Sequence, residues 1–206
     1  MDLFPVTTSD GETLTAQRAP AVGAERARVL LCQPHPQHGG SMQSLVVSEL
    51  FRQLPDHGLA CLRFDFRGVG RSTGAFGHGV AERLDVQAAL DALLDGHADG
   101  PVFAVGWSFG ADLALSCLDP RVDGWVGIAL PMHWLADAAA VGDDSRPKLL
   151  LLAEHDEFRP ATEVQSATAG WTATRTEVVA GASHFFVGRT DVLVRAIVAW
   201  TDALLA

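Results

Sequence analysis

Apolar residues follow two alternating patterns along the chain. Short apolar runs of strand type lie at residues 28–33, 59–64, 102–105, 125–130, 148–153 and 175–179. Segments with apolar residues three and four positions apart, a helical spacing, lie between or after them at 44–54, 81–94, 109–118 and 191–205. Strands that alternate with helices are typical of a parallel sheet covered by helices on both faces. The pattern therefore predicts the α/β class.

The organisation of the chain bears on how many domains it contains. Residues 4–7 and 13–18 flank the turn Ser9-Asp10-Gly11, which predicts an opening hairpin. No repeat, low-complexity tract or linker divides the remainder, so we predict a single domain over residues 1–206. Residues 137–147, rich in Ala, Asp and Gly, are predicted to be a flexible loop, too short to hold a separate lid domain.

Composition and charge narrow the classes of partner. The chain is 48% hydrophobic and 19% charged, as globular proteins are, and its formal net charge is −10. Nucleic acids and anionic membranes both favour basic surfaces, so neither is the expected partner. No apolar run approaches the roughly 20 residues that span a bilayer. We expect a small-molecule partner, and the sequence leaves the oligomeric state open.

The cysteines and the N-terminus bear on the cellular compartment. Cys32, Cys61 and Cys117 are an odd number and lie in apolar segments, which favours buried free thiols in a reducing compartment. The first residues lack the basic start and apolar stretch of a signal peptide. The predicted location is the cytoplasm.

The segment Gly106-Trp107-Ser108-Phe109-Gly110 matches the pattern G-x-S-x-G between an apolar strand and a helix. This is the setting of a nucleophile elbow, a sharp turn that lifts a serine hydroxyl off the sheet. Residues two before and two after the serine crowd together there, and glycine lacks the Cβ that would clash. The following helix adds N–H groups beside the reacting atoms. Ser108 is the predicted nucleophile; the alternative is a turn without chemistry.

A serine hydroxyl needs a base, and the base needs an orienting acid. In nucleophile-elbow hydrolases the acid and then the histidine follow the serine along the chain. His184 is the predicted base because, of the later histidines, it alone follows the last predicted strand. Three acidic residues follow the strand at 148–153. Asp156 is the predicted acid because the chain there has room to curl back, with Glu154 and then Glu157 as alternatives.

The proline-rich loop before the first predicted helix is expected to complete an oxyanion hole, which needs N–H donors fixed in advance. One predicted donor is the N–H of Phe109, next after the serine. The other is the N–H of Gln37, with His38 second, because Pro36 has no N–H. A metal site on His35 and His38 is the rival interpretation, but two histidines are too few ligands for a zinc site.

Several segments also resemble a known family. They are residues 34–42, 63–93, 105–110, 150–160 and 181–186. From about residue 29 to 187, the chain resembles small bacterial hydrolases of the α/β superfamily that carry a His-Pro-His-Pro loop, relatives of the dienelactone-hydrolase and acyl-peptidase branches. The resemblance implies the α/β-hydrolase fold, with about eight mostly parallel strands, and a triad that maps onto Ser108, Asp156 and His184. The dienelactone branch itself uses a cysteine nucleophile, whereas this chain has Ser108 at that position. The resemblance does not indicate which substrate is used.

Within the resembling region, the glycine-punctuated loop at residues 63–72 is interpreted as bracing the floor of the site. Its charged residues Asp65 and Arg67 are placed to pair with each other. The loop has no lysine of the kind that a phosphate-binding P-loop needs. We therefore assign it a structural role.

Together these features predict a serine hydrolase: a carboxylesterase that acts on short-chain esters through an acyl-enzyme on Ser108, without metal or organic cofactor. Short chains are favoured because no lid domain is present to form a long acyl tunnel. The residues predicted to bind substrate lie beside the catalytic loops: His38, Met132, Trp134, Phe158 and Phe185. Thioester or peptide hydrolysis by the same triad and a catalytically silent binding protein are the alternatives.

Overall fold

The alternating apolar runs form strands and helices in a computed structural model that describes residues 2–96 and 100–206. The strands in these residues are β1 (Leu3–Thr7), β2 (Thr13–Ala19), β3 (Ala27–Cys32), β4 (Leu59–Phe64), β5 (Val102–Trp107), β6 (Gly124–Ile128), β7 (Lys148–His155) and β8 (Thr174–Ser183). The helices are α1 (Leu45–Gln53), α2 (Glu82–Leu94), α3 (Phe109–Leu115), α4 (Ala138–Asp143), α5 (Ala161–Ala167) and α6 (Thr190–Leu205). None of these helices is long and apolar enough to cross a membrane.

The strands form one sheet in the order β1-β2-β4-β3-β5-β6-β7-β8. β1 and β2 make the predicted hairpin, and β2 runs antiparallel to β4. From β4 to β8 all neighbours are parallel. The carboxyl ends of β5, β7 and β8 therefore lie at the same edge of the sheet, where ligand sites of open α/β sheets gather. The predicted eight-stranded, mostly parallel sheet is confirmed.

Two apolar cores cover the two faces of this sheet. On one face Leu30 of β3 packs in a cluster with residues of α2 and α3, such as Leu90 and Leu113. On the other face Val29 packs in a cluster with residues of α1 and α6, such as Ile197. Because both faces are covered, every residue of β3 is buried. This explains why the central strands read as continuous apolar runs rather than as an alternating pattern.

The structure corrects the prediction of a flexible loop at residues 137–147. This segment contains α4, and the side chain of Asp137 caps it by accepting the N–H of Ala140 at 2.9 Å. Alanine is the strongest helix former and Asp is a favoured N-cap, so the composition taken as loop-like is that of a short helix. The helix α5 was not predicted, and β8 extends to Ser183, four residues beyond the predicted strand.

The predicted pairing of Asp65 with Arg67 is also wrong. Arg67 is buried and donates from Nε and Nη2 to Oδ1 of Asp85, at 2.9 and 2.7 Å, and it also bonds the carboxylate of Asp10. Asp65 instead accepts the backbone N–H of Met42 at 2.8 Å. A buried charge needs such partners to offset its desolvation. Arg67 thus ties the loop after β4 to α2 and the hairpin, and Asp65 fixes the loop that precedes α1.

The three cysteines are free thiols in the described part of the chain. Cys32 and Cys61 are fully buried, and burial raises the pKa of the Cys61 thiol well above its usual value. A thiol without thiolate character is a poor nucleophile. These residues therefore act as small apolar core residues, and the cytoplasmic location stays a prediction.

Candidate active site

Ser108 lies at the sharp turn between β5 and α3. Its backbone φ and ψ are 55° and −123°, a conformation that costs about 1–3 kcal/mol in a residue other than glycine. A Cβ on Gly106 would lie 2.0 Å from the carbonyl oxygen of Gly110, and a Cβ on Gly110 would lie 2.3 Å from that of Gln33. The backbone segments therefore approach too closely for any other residue at either glycine. The turn has the geometry that the pattern G-x-S-x-G predicts.

The side chains of Ser108, His184 and Asp156 form one hydrogen-bonded chain. His184 Nε2 lies 2.9 Å from Ser108 Oγ, and Nδ1 lies 2.8 and 3.0 Å from the two carboxylate oxygens of Asp156. An ionised carboxylate can only accept, so Nδ1 carries the proton and Nε2 is free to accept the serine proton. The ends of β5, β7 and β8 thus bring three side chains together in the arrangement of a nucleophile, a base and an orienting acid.

Asp156 is held ionised by its surroundings. Its side chain is 3% exposed, and this burial acts to raise its pKa. Hydrogen bonds from His184 and from the N–H groups of Phe158 and Arg159 outweigh the burial, so that the pKa of Asp156 lies below its usual value. The carboxylate is therefore charged at neutral pH and can stabilise a protonated imidazole.

Glu154 and Glu157, the two alternatives for the acid, bond the backbone near the same histidine, near the end of β8 and directly after it. Glu154 Oε2 accepts the N–H of Gly181 at 2.7 Å, and Glu157 Oε2 accepts the N–H of His184 at 3.0 Å. Neither carboxylate bonds the imidazole, whereas Asp156 does. The geometry thus favours Asp156 as the acid, and the two glutamates fix the backbone near His184.

Trp107, which the sequence did not single out, links the two halves of the site. Its indole Nε1–H donates to the backbone carbonyl of His184 at 3.0 Å, and the ring is only 5% exposed. With Glu157 on the N–H, the backbone of His184 is therefore held on both sides. The signal in the sequence is a tryptophan directly before the predicted nucleophile, since a buried indole N–H usually finds a partner.

The two predicted oxyanion donors differ in whether their N–H groups already make a hydrogen bond. The N–H of Phe109 opens α3, where N–H groups have no acceptor within their own helix. The N–H of Gln37 donates to His35 Nδ1 at 3.2 Å and so is already engaged inside its loop. Gln37 can donate to an oxyanion only after its N–H has released His35 Nδ1. No three His, Cys, Asp or Glu side chains within residues 2–96 and 100–206 are grouped closely enough to hold a metal ion.

This loop also departs from the His-Pro-His-Pro pattern of the suggested family. Gln33 stands in place of the first histidine, so the chain reads Gln-Pro-His-Pro. Gln33 is fully buried, and its Nε2 donates to the carbonyl of Gly40 at 3.0 Å. The glutamine thereby closes the loop by a direct bond between its two ends.

The aromatic rings near the triad form two sets whose ring contacts, in the described chain, do not join. In the first, the His35 set, the ring of His35 lies 4.6–5.2 Å, between centroids, from four other rings, those of His38, Phe76, Phe109 and Trp134. In the second, the His184 set, the rings of Phe158 and Phe185 lie 4.6 and 5.6 Å from that of His184. Of the predicted substrate-binding residues, His38 and Trp134 thus belong to the first set, and Phe158 and Phe185 to the second.

Met132, the remaining predicted substrate-binding residue, lies in a segment that Asp112 fixes. Asp112 is fully buried one helical turn after Ser108, and its carboxylate accepts the N–H groups of Met132 at 3.0 Å and Trp134 at 2.7 Å. Burial raises the pKa of Asp112 to about 6, against the lowering effect of these bonds. An acidic residue within the apolar helix α3 was the signal for this role.

The comparisons with known proteins identify the family. The sequence profile of the family described as serine aminopeptidase, S33, matches residues 24–198. The chain belongs to this family.

Solved structures and a relative named as a lipase place the S33 family member among serine hydrolases. An α/β serine hydrolase homologue from Coxiella burnetii is 30% identical, covers 96% of each chain and superposes with a TM-score of 0.87. A serine hydrolase described as lacking a lid, from Xanthomonas campestris, is 25% identical over 95% of this chain and 91% of its own, with a TM-score of 0.81. A lipase from Mycobacterium tuberculosis is 32% identical over 65% of this chain, which spans about half of the lipase. Membership of the α/β serine hydrolases is therefore confirmed, whereas a place near the dienelactone branch stays a prediction.

Proposed function

We propose that this S33 family member is a carboxylesterase for short-chain esters, with Ser108, His184 and Asp156 as its catalytic triad. The observation that carries the proposal is the unbroken chain of hydrogen bonds from Ser108 Oγ through the imidazole to the Asp156 carboxylate. The relative from Mycobacterium tuberculosis is named a lipase, which supports an ester as the substrate.

The first half of the proposed reaction forms an acyl-enzyme. Ser108 Oγ attacks the ester carbonyl carbon while its proton passes to Nε2 of His184, and the carbonyl oxygen becomes an oxyanion. The N–H of Phe109 donates to this oxyanion, and Gln37 is the proposed second donor once it releases His35. When the tetrahedral intermediate collapses, the bond to the alcohol oxygen breaks and that oxygen takes the proton from Nε2.

The second half releases the acid. A water molecule gives a proton to Nε2 and attacks the acyl carbon, and the bond to Ser108 Oγ then breaks as the serine recovers its proton. Asp156 stays ionised throughout and stabilises the imidazolium that forms twice in the cycle. Every proton and electron pair comes from the ester, the water and these three side chains, so the proposed reaction needs no metal or organic cofactor.

The His35 set supports a short acyl group. The ring of Trp134 lies 4.9 Å from that of His35 and 5.1 Å from that of Phe109, and the Asp112 carboxylate fixes the backbone of Trp134 through its N–H. The connection between β6 and β7 contains only the six-residue helix α4, so no helical cap extends this wall. A long chain would therefore leave the wall and gain little from each further CH₂.

A chain-length profile tests the proposed substrate class. We expect kcat/KM on p-nitrophenyl esters to rise to an acyl length of about two to six carbons and then to decline, without a jump at an oil–water interface. Each CH₂ that finds a wall contributes about 0.8 kcal/mol, or about fourfold in kcat/KM. Trp134→Ala should shift the optimum to longer chains. A monomer, by gel filtration, that prefers ten carbons or more would contradict the proposal.

Thioester and peptide hydrolysis remain the second candidates, because the same triad serves them and the family is described as a serine aminopeptidase. A matched panel of an acetyl ester, an acetyl thioester and an amino-acid p-nitroanilide separates them. We expect the ester to have the highest kcat/KM of the three. A p-nitroanilide turned over faster than the ester would assign the site to peptides instead.

Trp107 offers a test of how the histidine is positioned. Trp107→Phe keeps an aromatic ring but removes the donor to the carbonyl of His184, and we expect kcat to fall about tenfold with KM little changed. The structure supplies a matched control in Trp125, whose buried Nε1–H donates to the carbonyl of Cys117 at 3.1 Å. Trp107→Phe and the control Trp125→Phe should each lose about 1–3 kcal/mol of stability, because each leaves a carbonyl without its indole donor. Equal kcat values in the two variants would show that the bond of Trp107 is structural only.

A further inference from the structure

Phe158 and Phe185 present an apolar surface directly beside the base of the candidate site. Phe158 is 66% exposed and Phe185 is 46% exposed, and the centroids of their rings lie 6.0 Å apart. Both rings also contact the imidazole of His184, at 4.6 and 5.6 Å. Two adjacent exposed phenylalanines are an apolar surface that a bound molecule can remove from water.

Both phenylalanines belong to the same segments that hold the triad. The N–H of Phe158 donates to Asp156 Oδ1 at 2.9 Å, so this ring is carried by the turn of the acid. Phe185 directly follows His184, between that residue and the fully buried Phe186. The backbone of both residues therefore lies in the segments that carry Asp156 and His184.

The reaction determines which part of a substrate would contact these rings. The leaving oxygen receives its proton from Nε2, so the alcohol part must lie on the His184 side of Ser108. The acyl part then lies away from His184, and we assign it to the His35 set because the ring contacts of that set, in the described chain, do not join those of the His184 set. The two sets of rings thus correspond to the two halves of an ester.

We propose that Phe158 and Phe185 form the binding site for the alcohol portion of the substrate, and that this portion is a neutral planar group such as an aryl or arylmethyl group. The inference rests on the proposed esterase function. Planar rings stack on or meet the edges of phenylalanine rings favourably. The neighbouring carboxylates of Glu154 and Glu157, together with a net charge of −10, disfavour an anionic alcohol.

Two acetate esters whose alcohols have similar acidity test the proposal, because their intrinsic reactivity is matched. We compare kcat/KM for benzyl acetate and allyl acetate in the wild type, in Phe158→Ala and in the double variant with Phe185→Ala. The wild type should prefer benzyl acetate about tenfold, and the preference should fall to about twofold or less in the double variant. Val22→Ala is the control, since Val22 is 64% exposed before β3, at the opposite end of the sheet, and should leave the ratio unchanged.

The outcomes separate this inference from the esterase proposal. If both acetates are hydrolysed with a ratio near one, or if the ratio survives in the double variant, the aryl site is refuted while the esterase stands. If no ester is hydrolysed, the esterase proposal itself fails. Gel filtration tests whether a second copy of the chain covers the two rings instead. A dimer that Phe158→Ala converts to a monomer would identify the rings as a subunit interface and overturn the inference.

Discussion

Replacing Ser108 with alanine is expected to lower kcat for p-nitrophenyl acetate by about 10⁶ while the protein remains folded. The hydroxyl is the only group of Ser108 that bonds His184, and alanine fits the same strained turn no worse than serine does. Steady-state kinetics on the purified variant measures the loss. Thermal unfolding of the same sample checks the fold.

Ser116→Ala is the matched control for this prediction. Its hydroxyl lies on the residue after α3, donates to the carbonyl of Asp112 at 2.6 Å, accepts the N–H of Ala136 at 3.0 Å and has no bond to the triad. We expect its kcat to stay within about threefold of the wild type. A Ser108→Ala protein that keeps activity within about tenfold of the wild type would show that another residue is the nucleophile.

The second large effect concerns the acid. Asp156→Asn keeps the size of the side chain but presents an amide that can donate, which favours the wrong tautomer of His184. By analogy with other triads, kcat should fall by about 10⁴. The measurement is kcat on p-nitrophenyl acetate across a range of pH, so that a shift of the optimum is not taken for a loss.

Glu154→Gln and Glu157→Gln are the controls for Asp156. An amide oxygen can still accept the N–H of Gly181 or of His184, so each variant should lose less than about tenfold in kcat. A reversed order, with Glu154→Gln losing about 10⁴ and Asp156→Asn little, would transfer the role of the acid to Glu154.

The parts of this site that the sequence predicted are those that local pattern determines. β4 occupies residues 59–64 as predicted, because a six-residue apolar run between a turn and a glycine-rich loop has few other structures to adopt. The elbow was predictable because the crowding at Gly106 and Gly110 is a backbone property that only glycine satisfies. The order of acid and base along the chain then left few candidates for each role.

The parts that the sequence did not predict depend on contacts between distant segments. The bond from Trp107 to His184 joins residues 77 positions apart, and no periodicity records it. Arg67 pairs with Asp85 and Asp10 rather than with the nearer Asp65, because burial selects partners by position in the fold. The engaged N–H of Gln37 likewise depends on where the ring of His35 points.

Labelling by a fluorophosphonate probe tests the central claim most directly, because the probe reacts only with a serine that a base activates. The account predicts that the wild type forms a single adduct, that peptide mass spectrometry locates it on Ser108, and that His184→Ala slows its formation by several powers of ten. Absence of an adduct on folded wild-type protein would contradict the account and identify a catalytically silent hydrolase fold. An adduct on Ser108 that forms equally fast in His184→Ala would contradict the role of the histidine.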